Sequence, residues 1–166
     1  EEDIVVIGRV GEKSAERNKA LGSNVENFIR GANCTVMTVG EHFKAPNRFI
    51  FAYEYSPTCI KMMKRIAQSD LLKLLQCHLL YVGDHPEVLN EPADFLTSAG
   101  LDVVVEYRYG DVAENILDYQ REHGIQLIVL GAFSHSKIHQ FFLEALPPIF
   151  SVTQLFLCWW QSKNRK

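Results

Sequence analysis

Two glycine-bearing loops are the places in this chain where residue type and spacing could do chemistry. Near the N-terminus the apolar run Ile4-Val5-Val6-Ile7 leads into Gly8-Arg9-Val10-Gly11, and Gly22-Ser23 follows after a charged stretch. Farther on, Ile125-Gln126-Leu127-Ile128-Val129-Leu130 runs into Gly131-Ala132-Phe133-Ser134. A strand that ends in a glycine turn and opens a helix offers unpaired backbone N–H donors and the positive end of a helix dipole, which together suit a phosphate. Glycines that serve only to permit tight turns would be spelled the same way. The residues alone therefore leave ligand binding and plain turn geometry open at Gly8, Gly11, Gly22, Ser23, Gly131 and Ser134. Metal binding is the second candidate chemistry. His135 and His139 lie four apart and would share one helix face, a metal-compatible spacing. His78, His85 or Cys77 would have to complete the set, and nothing in the sequence draws them near; two histidines without a third ligand are ordinarily solvated.

The elements that must position these groups can be read from apolar periodicity and punctuation. Residues 4–7 read as a buried strand, residues 24–30 as a helix opened by the Ser23/Glu26 capping box and closed at Gly31, and residues 35–39 as a β-branched strand. A polar connector with Pro46 follows, and a module boundary is expected there, dividing the chain into 1–46 and 47–166. Residues 48–55 read as a strand. Ser56-Pro57 then opens a helix reaching about residue 75, with Ile60, Met63, Ile66 and Ala67 at helical spacing. Strands are expected at 77–82, 101–109, 125–130 and 154–160, and helices at 87–98, 112–123 and from 135 toward Pro147-Pro148. Asp111 caps the helix at 112, Gly124 ends it, and the alternation near 109 marks a strand close to a sheet edge or a site. Trp159-Trp160 reads as strand or core packing, with an exposed contact site as the alternative. From residue 48 onward the order is β-α-β-α-β-α-β, which predicts an α/β fold: an open, doubly wound parallel sheet with helices on both faces. In such a sheet ligands bind beyond the carboxyl ends of the strands, where strand order reverses. With the first strand of the main module central, that crevice is lined by Glu54, Ser56, Gly131 and Ser134.

Composition narrows the function classes. With 166 residues, 47% of them hydrophobic and 22% charged, the chain can bury a real core. A net charge of −3 without a long basic block argues against a nucleic-acid surface. No apolar run approaches the roughly 18 residues of a membrane span, so no membrane partner is expected. Cys34, Cys59, Cys77 and Cys158 are scattered without a Cys-x-x-Cys pair and read as reduced structural thiols of a cytoplasmic protein. The chain opens on Glu1 rather than methionine, from which a piece of something longer is expected.

Both loop regions resemble the universal stress protein family, whose nucleotide-binding members carry Gly-x2-Gly, nine residues, then Gly-Ser or Gly-Thr. The N-terminal copy reads Gly8-x2-Gly11, ten residues, then Gly22-Ser23, one residue longer than the family pattern. The main copy reads Gly131-Ala132-Phe133-Ser134, nine residues, then Glu144-Ala145. There Ser134 replaces the second glycine, Glu144 the third, and Ala145 the phosphate-contacting hydroxyl residue. Ser151-Val152-Thr153-Gln154 looks like the motif's continuation displaced by an unrelated string, as an insertion or an altered reading frame would produce. The first strand also departs: family members show Val-Asp-Gly-Ser, and this chain has Tyr53-Glu54-Tyr55-Ser56. Glu54 keeps the charge on a longer stem, and Tyr55 sets a ring where glycine leaves room for the nucleotide. Glu144 beside a phosphate adds a repulsion on the order of 1 kcal/mol at surface-like dielectric.

The resemblance implies an adenine-nucleotide alpha hydrolase-like sheet of strand order 3-2-1-4-5. It implies a tandem protein in which 1–46 is the C-terminal remnant of a first domain and 47–166 a second domain, atypical after residue 143. It implies a stress-response module without catalytic activity, which binds ATP or another adenine nucleotide weakly. The better-preserved site is Gly8, Gly11, Gly22 and Ser23, with a degenerate one at Glu54, Ser56, Gly131 and Ser134. A homodimer, or pairing through exposed sheet edges, is expected, with another chain or the second module covering residues 4–7. The competing readings are a small His-based metal enzyme and a ligand-free dimerisation or scaffold module. A phospho-acceptor domain fits less well, since the first strand lacks an acidic pair and Asp111 follows the wrong strand.

Overall fold

The strand β3 (Arg48–Ala52) explains the rest of the architecture. Phe49, Ile50 and Phe51 are consecutive and each is 0% exposed, so β3 is covered on both faces, as the interior strand of a parallel sheet must be. The computed structural model describes residues 4–8, 35–39, 45–131 and 155–159. Around β3 the chain adds α1 (Pro57–Gln68), a short α2 (Asp70–Lys73), β4 (Gln76–Val82), a 3-10 turn (Pro86–Leu89), α3 (Asn90–Ser98), β5 (Val103–Arg108), α4 (Val112–His123) and β6 (Leu127–Gly131). β1 (Ile4–Gly8) and β2 (Thr35–Val39) precede it, and β7 (Leu155–Trp159) follows.

The strands form one seven-stranded sheet in the order β1-β2-β7-β6-β3-β4-β5. Read from β5 inward, the strands after residue 47 stand in the expected order 3-2-1-4-5, all parallel. β1 and β2 are parallel to each other, and β2 meets β7 antiparallel, with Val36 opposite Cys158 and Thr38 opposite Phe156. The strands before and after the connector therefore share one sheet through β2 and β7. The edge at β1 is paired by β2 on one side and by no other described strand on the other.

Strand alternation sorts the side chains between two layers. Phe49, Phe51, Cys77, Leu79, Leu127 and Val129 point to one face, where they pack with Cys59, Met62, Met63 and Ile66 of α1 and Leu96 of α3. Ile50, Leu80 and Ile128 point to the other, which α4 covers with Ile116, Leu117 and Tyr119, all buried. The buried stripe of α1 keeps its helical spacing but is turned from the expected one, so that Cys59 and Met62 are buried and Ile60 only half so. The buried Cys59 and Cys77 are free thiols, as expected, and burial pushes each up to about 12.

Several boundaries differ from the sequence expectation, each for a local reason. β3 stops at Ala52, not residue 55: Tyr53 N–H still donates to Leu80 O, but Ser56 N–H donates to Glu54 O at 2.7 Å and closes a turn. The helix expected to reach residue 75 breaks at Ser69, which is extended (φ −82°, ψ 110°) and caps α2 through its own side chain. The helix expected from residue 87 opens as a 3-10 turn, and Pro92 falls in the first turn of α3, where a missing N–H costs no intrahelical bond. The helix at 24–30 and the one beginning at 135 lie outside the described residues, as does Trp160.

α4 matches its expected bounds residue for residue. Asp111 Oδ1 accepts from the N–H groups of Ala113 and Glu114, both at 3.0 Å, and Gly124 ends the helix in the left-handed region at φ 58°. Asp111→Ala is expected to lower stability by about 1 kcal/mol, read as a lower urea midpoint with an unchanged slope.

Candidate functional site

The crevice lies where β3 lies between β4 and β6. The chain leaves β3 toward β4 and returns to the other side with β6, so the strand order reverses between β3 and β6. Phe51 is registered against Val129, and continuing that pairing sets residue 53 beside Gly131, at the carboxyl ends. The carboxyl end of β3 and Gly131 thus stand side by side, with residues 54–56 in the turn that follows β3. Ser134 lies outside the described residues, so the second half of this loop does too.

The chemistry on the β3 side is local and self-contained. Ser56 is the N-cap of α1, and its Oγ accepts from Cys59 N–H at 3.2 Å. The same hydroxyl donates to Glu54 Oε1 at 3.1 Å. Glu54 N–H in turn points at Cys59 Sγ (3.4 Å), and the thiol donates to Ala52 O (3.7 Å). A carboxylate is thereby held at the start of a twelve-residue helix, the position the helix dipole makes favourable for an anion. Cys59, with a thiol pushed up to about 12 by burial, is neutral and no nucleophile.

Tyr55 does not take the part expected of it. Tyr55 is 75% exposed, so its ring stands in solvent instead of filling the floor of the crevice. Tyr53 is the buried one, set edge-on to Phe51 with ring centroids 5.9 Å apart. Burial raises its phenol further above the ordinary range, with Cys59 and Glu91 adding to the effect. Sequence reading passed over Tyr53; its signal was the alternation Phe49-x-Phe51-x-Tyr53, which continues one buried face past the strand's end.

The N-terminal loop is a separate place. Gly8 ends β1 beside Val39 of β2, and Gly11, Gly22 and Ser23 lie outside the described residues. Because β2 and β7 are antiparallel while β6 and β7 are parallel, β1 runs against β6. Gly8 and Gly131 therefore stand at opposite ends of the sheet, on strands three spacings (about 14 Å) apart.

The metal set does not assemble. His135 and His139 lie outside the described residues. Cys77 and His78 are neighbours on β4 and face opposite layers. His85 is exposed and pairs with Glu87 at 3.1 Å. Among the described residues no group of three or more His, Cys, Asp or Glu stands close enough to hold an ion. His78 has a structural part instead. Gln76 Oε1 can only accept, so His78 Nε2–H donates to it (3.2 Å), and Nδ1 accepts from Tyr119 O–H at 2.8 Å. Gln76 Nε2 passes the chain on to Asp102 Oδ2 at 2.8 Å. Asp111, on the wrong strand for a phospho-acceptor, is the helix cap already described.

The chain is 31% identical over 142 residues to the universal stress protein Slr1230 of Synechocystis sp., a match covering 82% of this chain and 50% of the relative. It thus spans half the length of the curated relative it matches. The crystal structure of a universal stress protein from Archaeoglobus fulgidus superposes with a TM-score of 0.68 at 17% identity, over 94% of this chain and 61% of that one. The hypothetical protein MJ0577, the subject of a structure-based assignment of biochemical function, superposes at 0.51 and 18% identity, over 73% of this chain and 100% of its own. No family model matches the chain.

Two outcomes follow from the geometry. Ser56→Ala removes the α1 cap and frees Glu54 Oε1 of one donor, and is expected to cost about 1 kcal/mol of stability in a denaturant melt. For His78, burial first, then His123 and Arg48, hold the imidazole below its ordinary 6.5, against an opposing pull from Asp102. The unfolded chain therefore takes up this proton first as pH falls, and the contribution is complete above 6.5 and lost below it. Urea midpoints are expected to drop between about pH 7 and pH 5, with a flatter dependence in His78→Gln.

Proposed function

The chain belongs to the universal stress protein family, and on that premise we propose that it is a non-catalytic stress-response module of the tandem type. In this reading residues 1–46 are the end of one domain and 47–166 a second, joined through the β2–β7 pairing. The observation that carries the non-catalytic part is the Ser56–Glu54–Cys59 arrangement at the head of α1. The Ser56 hydroxyl caps α1 and donates to Glu54, so the acidic group on the β3 side is tethered by the helix start, where it disfavours a second anion. The replacement of the motif by Ser134, Glu144 and Ala145 supports the same conclusion for the β6 side. We therefore assign the main crevice as a degenerate nucleotide site.

The remaining affinity for ATP or another adenine nucleotide is assigned to the N-terminal loop. Its support is the spacing Gly8-x2-Gly11 to Gly22-Ser23, together with the placement of Gly8 at a strand's carboxyl end. Cytoplasmic residence is supported by the free, buried Cys59 and Cys77. No helix among the described residues is long and apolar enough to cross a membrane. The net charge of −3 gives no support to a nucleic-acid partner.

Titration calorimetry with ATP tests the assignment. Weak saturable binding is expected, abolished by Gly11→Val and unchanged in Glu54→Gln, with ATP recovered intact after long incubation. Binding that Glu54→Gln strengthens or that Gly11→Val leaves untouched would move the site to the main crevice. Release of ADP would overturn the non-catalytic assignment.

A further inference from the structure

We propose that the free edge of β5 is a homodimer interface, at which a second copy of the chain adds its own β5 antiparallel about a two-fold axis through Tyr107. β5 ends the sheet among the described residues. The carbonyls of Asp102 and Arg108 accept from Cys77 and Gly83 on the β4 side, at 2.8 and 2.9 Å. Backbone groups alternate in direction along a strand. The N–H and C=O groups of Val103, Val105 and Tyr107 therefore point outward from the sheet.

Edge strands are ordinarily blunted by proline, lysine, a bulge or extreme shortness. β5, spelled Val-Val-Val-Glu-Tyr-Arg, has six residues and neither proline nor lysine. On the face it shares with α1 and α3 it carries a stripe that those helices do not reach: Val105 is 48% exposed, Tyr107 49% and Tyr109 60%. The two tyrosine rings are already set edge to face, 5.9 Å apart at 86°. Unpaired backbone and a presorted aromatic stripe thus lie along one line.

Charge selects the occupant and its register. With the outward-facing residues of each copy opposite one another, the two-fold can pass through Val105, Glu106 or Tyr107. A two-fold at Glu106 opposes two like carboxylates. One at Val105 turns Arg108 toward Asp102 of the other copy, a carboxylate that already accepts from Gln76 at 2.8 Å. A two-fold at Tyr107 sets Glu106 opposite Arg108 of the other copy, twice by symmetry, at the close non-hydrogen-bonded positions where opposite charges attract best. It also opposes Tyr107 to its own copy and Val105 to Tyr109, so every large exposed side chain of the stripe gains an apolar neighbour. Arg108 holds Glu122 with two of its nitrogens, at 2.5 and 3.3 Å, and a guanidinium has five N–H donors, which leaves donors for a second carboxylate. The surface is self-complementary, as a two-fold interface requires. The inference goes beyond the nucleotide reading and does not depend on it.

Cysteine cross-linking of the 166-residue chain decides it. At a two-fold through Tyr107 the two copies' residue-107 Cα atoms lie about 5.5 Å apart, within disulfide reach, whereas the residue-105 pair lies beyond it. Mild oxidation of Tyr107→Cys is expected to yield a covalent dimer that neither Val105→Cys nor the unsubstituted chain forms. In sedimentation equilibrium Glu106→Arg, with a thermal melt matching the parent, is expected to weaken association at least tenfold. A chain monomeric at every concentration overturns the proposal. So does a dimer in which Val105→Cys cross-links as readily as Tyr107→Cys, since that would place the copies in another register or on another edge.

Discussion

The burial of β3 on both faces is the constraint on which the other features depend. Three consecutive large residues, Phe49, Ile50 and Phe51, have no contact with solvent, and a strand with that content is stable only inside a sheet with helices above and below. Once β3 is interior and parallel to both neighbours, the right-handed crossovers place α1 and α3 on one face and α4 on the other. The reversal of strand order then has to fall beside β3, and with it the crevice at residues 53–56 and Gly131. The position of the candidate site is thus a by-product of packing.

The content of that crevice is a competition between a ligand and the protein's own groups. A helix N-terminus attracts anions, and here the attraction is met internally: Ser56 caps α1 and presents Glu54 to it. A bound phosphate would have to displace a tethered carboxylate or sit against it. The packing that stabilises the head of α1 and the chemistry that would bind a nucleotide therefore oppose each other, and the observed bonds serve the packing. His78 shows the same economy on the opposite face. Its two ring nitrogens are satisfied by Tyr119 and Gln76, so a residue type rich in catalytic associations serves to seat α4 on the sheet.

The antiparallel contact of β2 with β7 has a further consequence. It fuses strands from before and after the connector into one sheet while reversing direction between them. Gly8 and Gly131, each closing an apolar strand of similar spelling, therefore stand at opposite ends of the sheet.

Much of the fold was legible in the amino-acid sequence because its signals are local. The apolar runs before Gly8 and Gly131, the β-branched run at 35–39, Asp111 and Gly124 around α4, and the alternation of strands with helices all depend on residues a few positions apart, and the strands and α4 stand where those signals put them. The family resemblance, carried by glycine spacing, added the strand order. Missing from the local signals were the end of β3 at Ala52, the break at Ser69, the burial of Tyr53 with Tyr55 left exposed, the partners of His78, and the free edge of β5. The end of β3 and the break at Ser69 come from a turn and a cap that periodicity does not resolve, whereas the others turn on neighbours distant in sequence: Tyr119 beside His78, Phe51 and Leu80 beside Tyr53, and the placement of β5 at the sheet's end with no described strand beyond it. Periodicity determines which elements form and which face is apolar. Which polar group meets which, and which backbone row is left unpaired, is decided only when the sheet closes its register.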